Sequence, residues 1–182
     1  MSLRTAIPVL GFAAYSGTGK TTLLIRLLPL LRERGLRIGM VKHAHHTFEI
    51  DYPGKDSYEL RHAGASQILV GSRKRWALVV ETPDDGNENL QTYIDRLDQN
   101  SLDLILVEGF KPEAIPKIEL HRPALGKPLM CRDDGSIIAL AHDAPEPLPV
   151  AVPQLDINNP PAIVAFVVDR FLGAAENRVD AG

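Results

Sequence analysis

Ala14-Tyr15-Ser16-Gly17-Thr18-Gly19-Lys20-Thr21 lies between an apolar run and a segment of helical periodicity. A glycine-rich turn with the spacing G-x-x-x-x-G-K-[ST] lets successive backbone N–H groups converge on phosphates. The helix that follows directs its positive end at the same charge. In that role Lys20 reaches the β- and γ-phosphates and the Thr21 hydroxyl binds Mg²⁺, while Ser16, Gly17, Thr18, Gly19 and Thr22 complete the cradle. Ala14 stands where the pattern has its first glycine, at a strand end where a small residue suffices. The bland alternative is a glycine-rich turn that enters a helix and holds nothing.

Such a loop needs an acidic residue at the end of a neighbouring strand, to hold Mg²⁺ directly or through water. Asp103-Leu104-Ile105-Leu106-Val107-Glu108-Gly109 supplies it. Glu108 falls where an apolar strand meets a glycine, at the carboxyl edge where open α/β sheets bind ligands.

A polar loop over 42–54 carries His43, His45 and His46, then Asp51 and, just beyond, Lys55. Beside a γ-phosphate this region acts as a switch segment. Asp51 is a candidate to contact Mg²⁺ or orient a water, and Lys55 to offset phosphate charge. Three histidines within four residues also raise a metal reading, but zinc sites need three or four defined ligands and Cys131 is the single cysteine. A contact loop for nucleotide, partner or phosphorylated ligand is the preferred reading. Asp56 with Glu59 reads as a capping-box start, and Asp56 and Ser57 as helix caps. Arg61, His62, Arg73, Lys74 and Arg75 read as solvated charges; Trp76 beside the basic run 73–75 could form a contact surface, but a core tryptophan at a strand edge is the preferred reading.

The elements that must position these groups alternate between strand and helix, which predicts a mostly parallel sheet flanked by helices, with a few extra strands in the C-terminal half. Ile7–Ala13 reads as a buried strand and Lys20 to about Arg34 as a helix with a leucine face, kinked at Pro29 and stopped by Gly35. Strands follow at 36–41, 67–70, 76–81, 102–107, 117–121 and 137–141. Helices are predicted from Asp56 to near Gly64, over 89–97, and from Pro160-Pro161 to Leu172. One domain over 1–172 with a frayed tail over 173–182 is the expected organisation.

A length of 182 residues and a hydrophobic fraction of 45% allow one substantial α/β core. The net charge of −3 gives no electrostatic case for nucleic acid or anionic membrane. No apolar run is long enough to span a bilayer and the first residues do not read as a signal peptide, so the expected location is the cytoplasm.

Ser-Gly-Thr-Gly-Lys-Thr-Thr at 16–22, Lys-His-Ala-His-His at 42–46, Pro-Gly-Lys-Asp-Ser-Tyr-Glu-Leu-Arg at 53–61 and Asp-Leu-Ile-Leu-Val-Glu-Gly-Phe-Lys at 103–111 occur in that order. Together they closely resemble the molybdopterin-guanine dinucleotide biosynthesis adapter (MobB) family. Arg-Trp-Ala-Leu at 75–78, Glu-Thr-Pro-Asp at 81–84 and Leu-Asp-Ile-Asn at 155–158 extend the likeness over most of the chain. The resemblance implies a SIMIBI-class P-loop protein that binds GTP and Mg²⁺, hydrolyses GTP weakly and forms a homodimer. It also implies a partner, the MobA-type guanylyltransferase that joins GMP to molybdopterin, and a ligand in molybdopterin or its guanine dinucleotide. Gly17, Gly19, Lys20, Thr21 and Thr22 carry over as phosphate or Mg²⁺ contacts, with Glu108 and Asp51 near the metal. The Asn-Lys-x-Asp guanine signature is missing, so guanine preference rests on the likeness, and 152–159 is the candidate base-contacting loop.

Three other functions fit parts of the pattern. A metal-delivery GTPase would use the histidine loop 43–46. A small-molecule kinase or ATP-dependent ligase would use the same scaffold with an acceptor pocket. A purely structural adapter would bind no nucleotide at all.

Overall fold

The computed structural model describes residues 3–44, 48–82 and 89–174. They gather into two compact units, one formed by the chain up to 43 and from 90 onward, the other by 44–89. In chain order the elements begin with β1 (Val9–Ala14), α1 (Lys20–Glu33), β2 (Ile38–Lys42), α2 (Asp56–His62), β3 (Gln67–Gly71), β4 (Trp76–Val80) and α3 (Leu90–Ile94). They continue with β5 (Leu104–Glu108), β6 (Lys117–His121), β7 (Ile137–His142), β8 (Gln154–Asp156) and α4 (Pro160–Ala165). From α4 the chain runs on in wider π-helical turns over Phe166–Leu172. The tail expected from 173 lies outside the described residues beyond 174.

The larger unit holds a six-stranded, wholly parallel sheet in the order β2-β5-β1-β6-β7-β8. The mostly parallel sheet predicted from strand–helix alternation is therefore the fold. Two apolar layers cover it. Leu104 and Leu106 of β5 join the layer that includes Leu23, Leu27 and Leu31 of α1, while Ile105 and Val107 face Leu90 and Ile94 of α3. This is the period-two alternation of a strand buried on both faces. Each fully buried leucine of α1 contributes about 1.5–3 kcal/mol relative to exposure. The helix runs through Pro29 without interruption and stops at Gly35, whose φ of 83° lets Leu36 N–H turn back to Leu31 O at 3.3 Å.

Beneath the loop that follows β5, the Lys117 side chain is buried. Its Nζ donates to Lys111 O (2.9 Å) and Glu113 O (2.6 Å) and pairs with Asp134 at 2.9 Å. Gly11 on the adjoining strand makes the room, because a Cβ there would lie 2.7 Å from Lys117 Cγ. Burial works against the charge of Asp134, but hydrogen bonds from Ser136 and Lys117 outweigh it and lower its pKa.

In the second unit β3 and β4 form an antiparallel ribbon, with Leu69 opposite Leu78 and Gly71 opposite Trp76. Three sequence expectations are corrected here. Trp76 is not a core residue, since 71% of it is exposed, on the same ribbon face as Leu69 and Leu78. Asp56 is not a cap either. Lys55, with extended φ and ψ, is the N-cap of α2, no side chain caps it, and Asp56 and Ser57 are already helical. Glu59 Oε1 instead accepts from Gly54 N–H at 3.1 Å, just before the cap. Finally, Arg61 is no solvated charge: it joins Glu49, Asp51 (3.6 Å) and Glu81 (2.9 Å). Glu81 foremost, and then Glu49, outweigh burial and raise its pKa above the already high arginine range. Arg73, Lys74 and Arg75 are exposed, as predicted.

Candidate nucleotide-phosphate site

The buried Ala14 ends β1 at the carboxyl edge of the sheet. The chain then turns on itself, Thr18 donating both its hydroxyl (2.8 Å) and its N–H (3.3 Å) to Tyr15 O. The Thr18 side chain therefore closes the loop from inside. Gly17 and Gly19 take φ values of 83° and 92°, which glycine adopts without strain, and the space a Cβ would enter at each is open. Gly19 is the N-cap of α1, with no capping side chain and no acid in the first turn. The first N–H groups of that helix, at Lys20, Thr21 and Thr22, have no acceptor within it and are set to receive an anion.

Lys20 Nζ and Thr21 Oγ1 each lie 3.4 Å from Glu108 Oε1. Glu108 is buried at the end of β5, next to β1, so the order of strands rather than their sequence distance brings the three together. A hydroxyl and a carboxylate oxygen are the hard donors Mg²⁺ takes, and the ammonium matches phosphate charge. The residues present thus fit a magnesium–triphosphate group.

His43 continues this edge. Its N–H donates to Glu108 O at 2.9 Å and its ring packs against Phe110, centroids 5.0 Å apart. Gly109 between them has φ 107°, and a Cβ would meet His43 Cβ at 2.8 Å and the His43 backbone beyond it.

Three cations that the sequence did not single out stand around the loop. Lys111 Nζ lies 5.0 Å and Lys127 Nζ 6.0 Å from the Tyr15 ring centroid. Burial, and then the charge of Lys20, lower the Lys111 pKa. Arg122, after β6, donates from Nε to Thr18 O at 3.0 Å. Nothing local in the sequence marks these residues, which reach the loop only through the parallel pairing of β1 with β5 and β6.

Asp51 and Lys55 belong to the second unit. There Asp51 pairs with Arg61, and Lys55 Nζ lies 5.3 Å from the Tyr52 ring centroid. His45 and His46 lie outside the described residues. Among the described residues, no three His, Cys, Asp or Glu side chains group as a metal-holding set, and no helix is long and apolar enough to cross a membrane.

A parallel sheet with a glycine-rich phosphate loop between its first strand and helix, and a carboxylate on the adjoining strand, defines a P-loop protein. Within that class the chain belongs to the molybdopterin guanine dinucleotide synthesis protein B family, whose profile matches residues 9–143. It is 53% identical over 170 residues to the molybdopterin-guanine dinucleotide biosynthesis adapter protein of Escherichia coli (strain K12), covering 93% of this chain and 96% of that one. The protein of the same description from Haemophilus influenzae is 42% identical, covering 91% and 90%. A crystal structure of molybdopterin-guanine biosynthesis protein B superposes with a TM-score of 0.71 at 25% identity, over 90% of this chain and 98% of that one. The Bacillus subtilis MobB structure shares the fold, with a TM-score of 0.67 at 21% identity over 90% and 97%.

Proposed function

We propose that the chain is a GTP-binding adapter in molybdopterin guanine dinucleotide biosynthesis, which hydrolyses GTP slowly and assists a MobA-type guanylyltransferase in the cytoplasm. The observation that carries the nucleotide reading is the meeting of Lys20, Thr21 and Glu108 at the mouth of the glycine loop. Family membership carries the pathway. Backbone N–H groups of 16–22 would bind the phosphates, Lys20 would offset their charge, and Thr21 and Glu108 would hold Mg²⁺. The bound metal supplies charge neutralisation on the β- and γ-phosphates. His43, His45, His46 and Lys55 serve as switch or ligand contacts.

Slow hydrolysis follows from the residues after Glu108, which are Gly109, Phe110 and Lys111. None can orient a water as a glutamine does, and the arginine finger worth roughly 10³–10⁵ in rate has no counterpart in the sequence motifs. The homodimer is supported by the exposed apolar face of Leu69, Trp76 and Leu78, since a two-stranded ribbon gains stability when such a face is covered.

The direct test is co-purification with the guanylyltransferase, with and without GTP–Mg²⁺. Retention with GTP–Mg²⁺ that weakens in the Lys20→Ala variant is the expected result. Loss of interaction under both conditions rules out the adapter role.

A further inference from the structure

The carboxyl ends of β7 and β8 frame a cleft of about 490 Å³, walled by residues 142–147 and by residues of the 154–158 segment. Its wall is held from within. His142 Nδ1 accepts Ala144 N–H at 3.1 Å, so the ring proton sits on Nε2 and is donated to Gln154 Oε1 at 2.9 Å. Gln154 also takes Leu148 N–H (2.7 Å) and gives its own amide to Leu148 O (2.9 Å). The loop after β7 is therefore tied at two points around the opening. At the rim, Asp156 Oδ1 accepts Asn158 N–H at 2.8 Å.

One side chain joins this cleft to the phosphate loop. Arg122 donates from Nε to Thr18 O at 3.0 Å and pairs through Nη1 with the Asp143 carboxylate. Asp143 lines the cleft with 28% of its side chain exposed. The cleft lies on the β6–β7–β8 side of β1, whereas Glu108 lies on the β5 side. A nucleotide whose phosphates meet Glu108 and Lys20 thus has an open, prearranged recess on the opposite flank of the same loop.

We propose that this cleft takes the purine base of the nucleotide and that Asp143 reads the base as guanine. The inference rests on the phosphate-site reading above. Guanine presents N1–H and N2–H₂ as neighbouring donors, which a carboxylate accepts together. Adenine presents a lone pair at N1, which the same carboxylate repels. Asp143 thereby does the work of the guanine signature that the sequence lacks, from the end of a strand rather than from a recognisable motif. Hydrogen bonds to a charged group are worth roughly a ten- to hundredfold in affinity.

The test is calorimetric titration of the whole chain in Mg²⁺ with GTP, ATP, xanthosine triphosphate and inorganic triphosphate, for wild type, Asp143→Asn and Lys20→Ala. Wild type is expected to prefer GTP to ATP by roughly tenfold or more. Asp143→Asn should lose that preference and gain xanthosine triphosphate, whose C2 carbonyl accepts from the new amide, while inorganic triphosphate is held as before. Lys20→Ala should weaken all four ligands alike. A wild-type GTP-to-ATP ratio retained in Asp143→Asn overturns the base assignment and leaves the phosphate site standing. Failure of wild type to bind any of the four overturns both. A second measurement needs no variant: inosine triphosphate, which lacks the N2 amino group, should bind wild type several-fold more weakly than GTP. Equal binding overturns the assignment.

Discussion

Lys20 Nζ and Glu108 Oε1 stand 3.4 Å apart, cation against carboxylate, with the Thr21 hydroxyl at the same distance from the same oxygen. An incoming phosphate shares Lys20 with Glu108, and an incoming Mg²⁺ relieves the two negative groups of their repulsion. Phosphate and metal should therefore bind cooperatively.

Lys20→Ala is expected to weaken GTP binding by roughly 10- to 150-fold, the range of one or two charge-assisted hydrogen bonds. Glu108→Gln keeps the shape and removes the charge, so it should weaken binding in Mg²⁺ more than in chelator. Titrations with and without metal measure both. An unchanged GTP affinity for Lys20→Ala would remove the phosphate site.

Gly109→Ala should destabilise the chain by roughly 1–3 kcal/mol, since it combines a left-handed φ with a Cβ pressed on His43. Gly135→Ala, in open space and with no such φ, should stay within about 0.5 kcal/mol of wild type. Thermal melts compare the two. Equal midpoints would show that the Gly109–His43 approach relaxes freely.

Asp103 governs an acid limb of stability. Hydrogen bonds from Arg37, first from its side chain and then from its backbone, hold the Asp103 carboxyl at about 2 against an ordinary 3.8. The folded value is the lower one, so the contribution is full above the unfolded pKa and disappears as pH falls from about 4 toward 2. Asp103→Asn should be less stable than wild type at pH 7, and the gap should close over that window. Urea midpoints from pH 7 to pH 3 test this, and a gap that is constant across them contradicts it.

Cys131 should be a poor nucleophile. Burial, and then the nearby Glu119 carboxylate, push its thiol from 9.0 to about 11, which leaves roughly a hundredfold less thiolate at pH 8. Iodoacetamide should modify the folded chain that much more slowly than the urea-unfolded chain. Equal rates would show that the thiol titrates normally.

What could be read from the sequence was whatever depends on neighbours in the chain. The leucine spacing of α1, the apolar run of β5 and the turn at Gly17 and Gly19 are local patterns, and each stands near its expected place. β6 begins and ends at the predicted residues. Trp76 was misread because burial depends on what lies across a sheet face, which β-propensity does not report. Arg61 was misread for a related reason, since Glu49 and Glu81 reach it from either side of α2 and no spacing rule joins them. Within the candidate phosphate site, Lys20, Thr21 and Glu108 are legible from motif and strand-end position. Lys111, Lys127 and Arg122 did not, because a cation's use is set by the strand order that carries it there.

The slot between Gly11 and Lys117 also constrains how this lineage can vary. A larger residue at 11 collides with the lysine stem, and a shorter one at 117 leaves a void and takes from Asp134 its ion-pair partner. Either substitution alone disturbs this packing. The two positions are therefore expected to drift in concert, so that relatives with a side chain at 11 carry a smaller, uncharged residue at 117 and have lost the acid at 134.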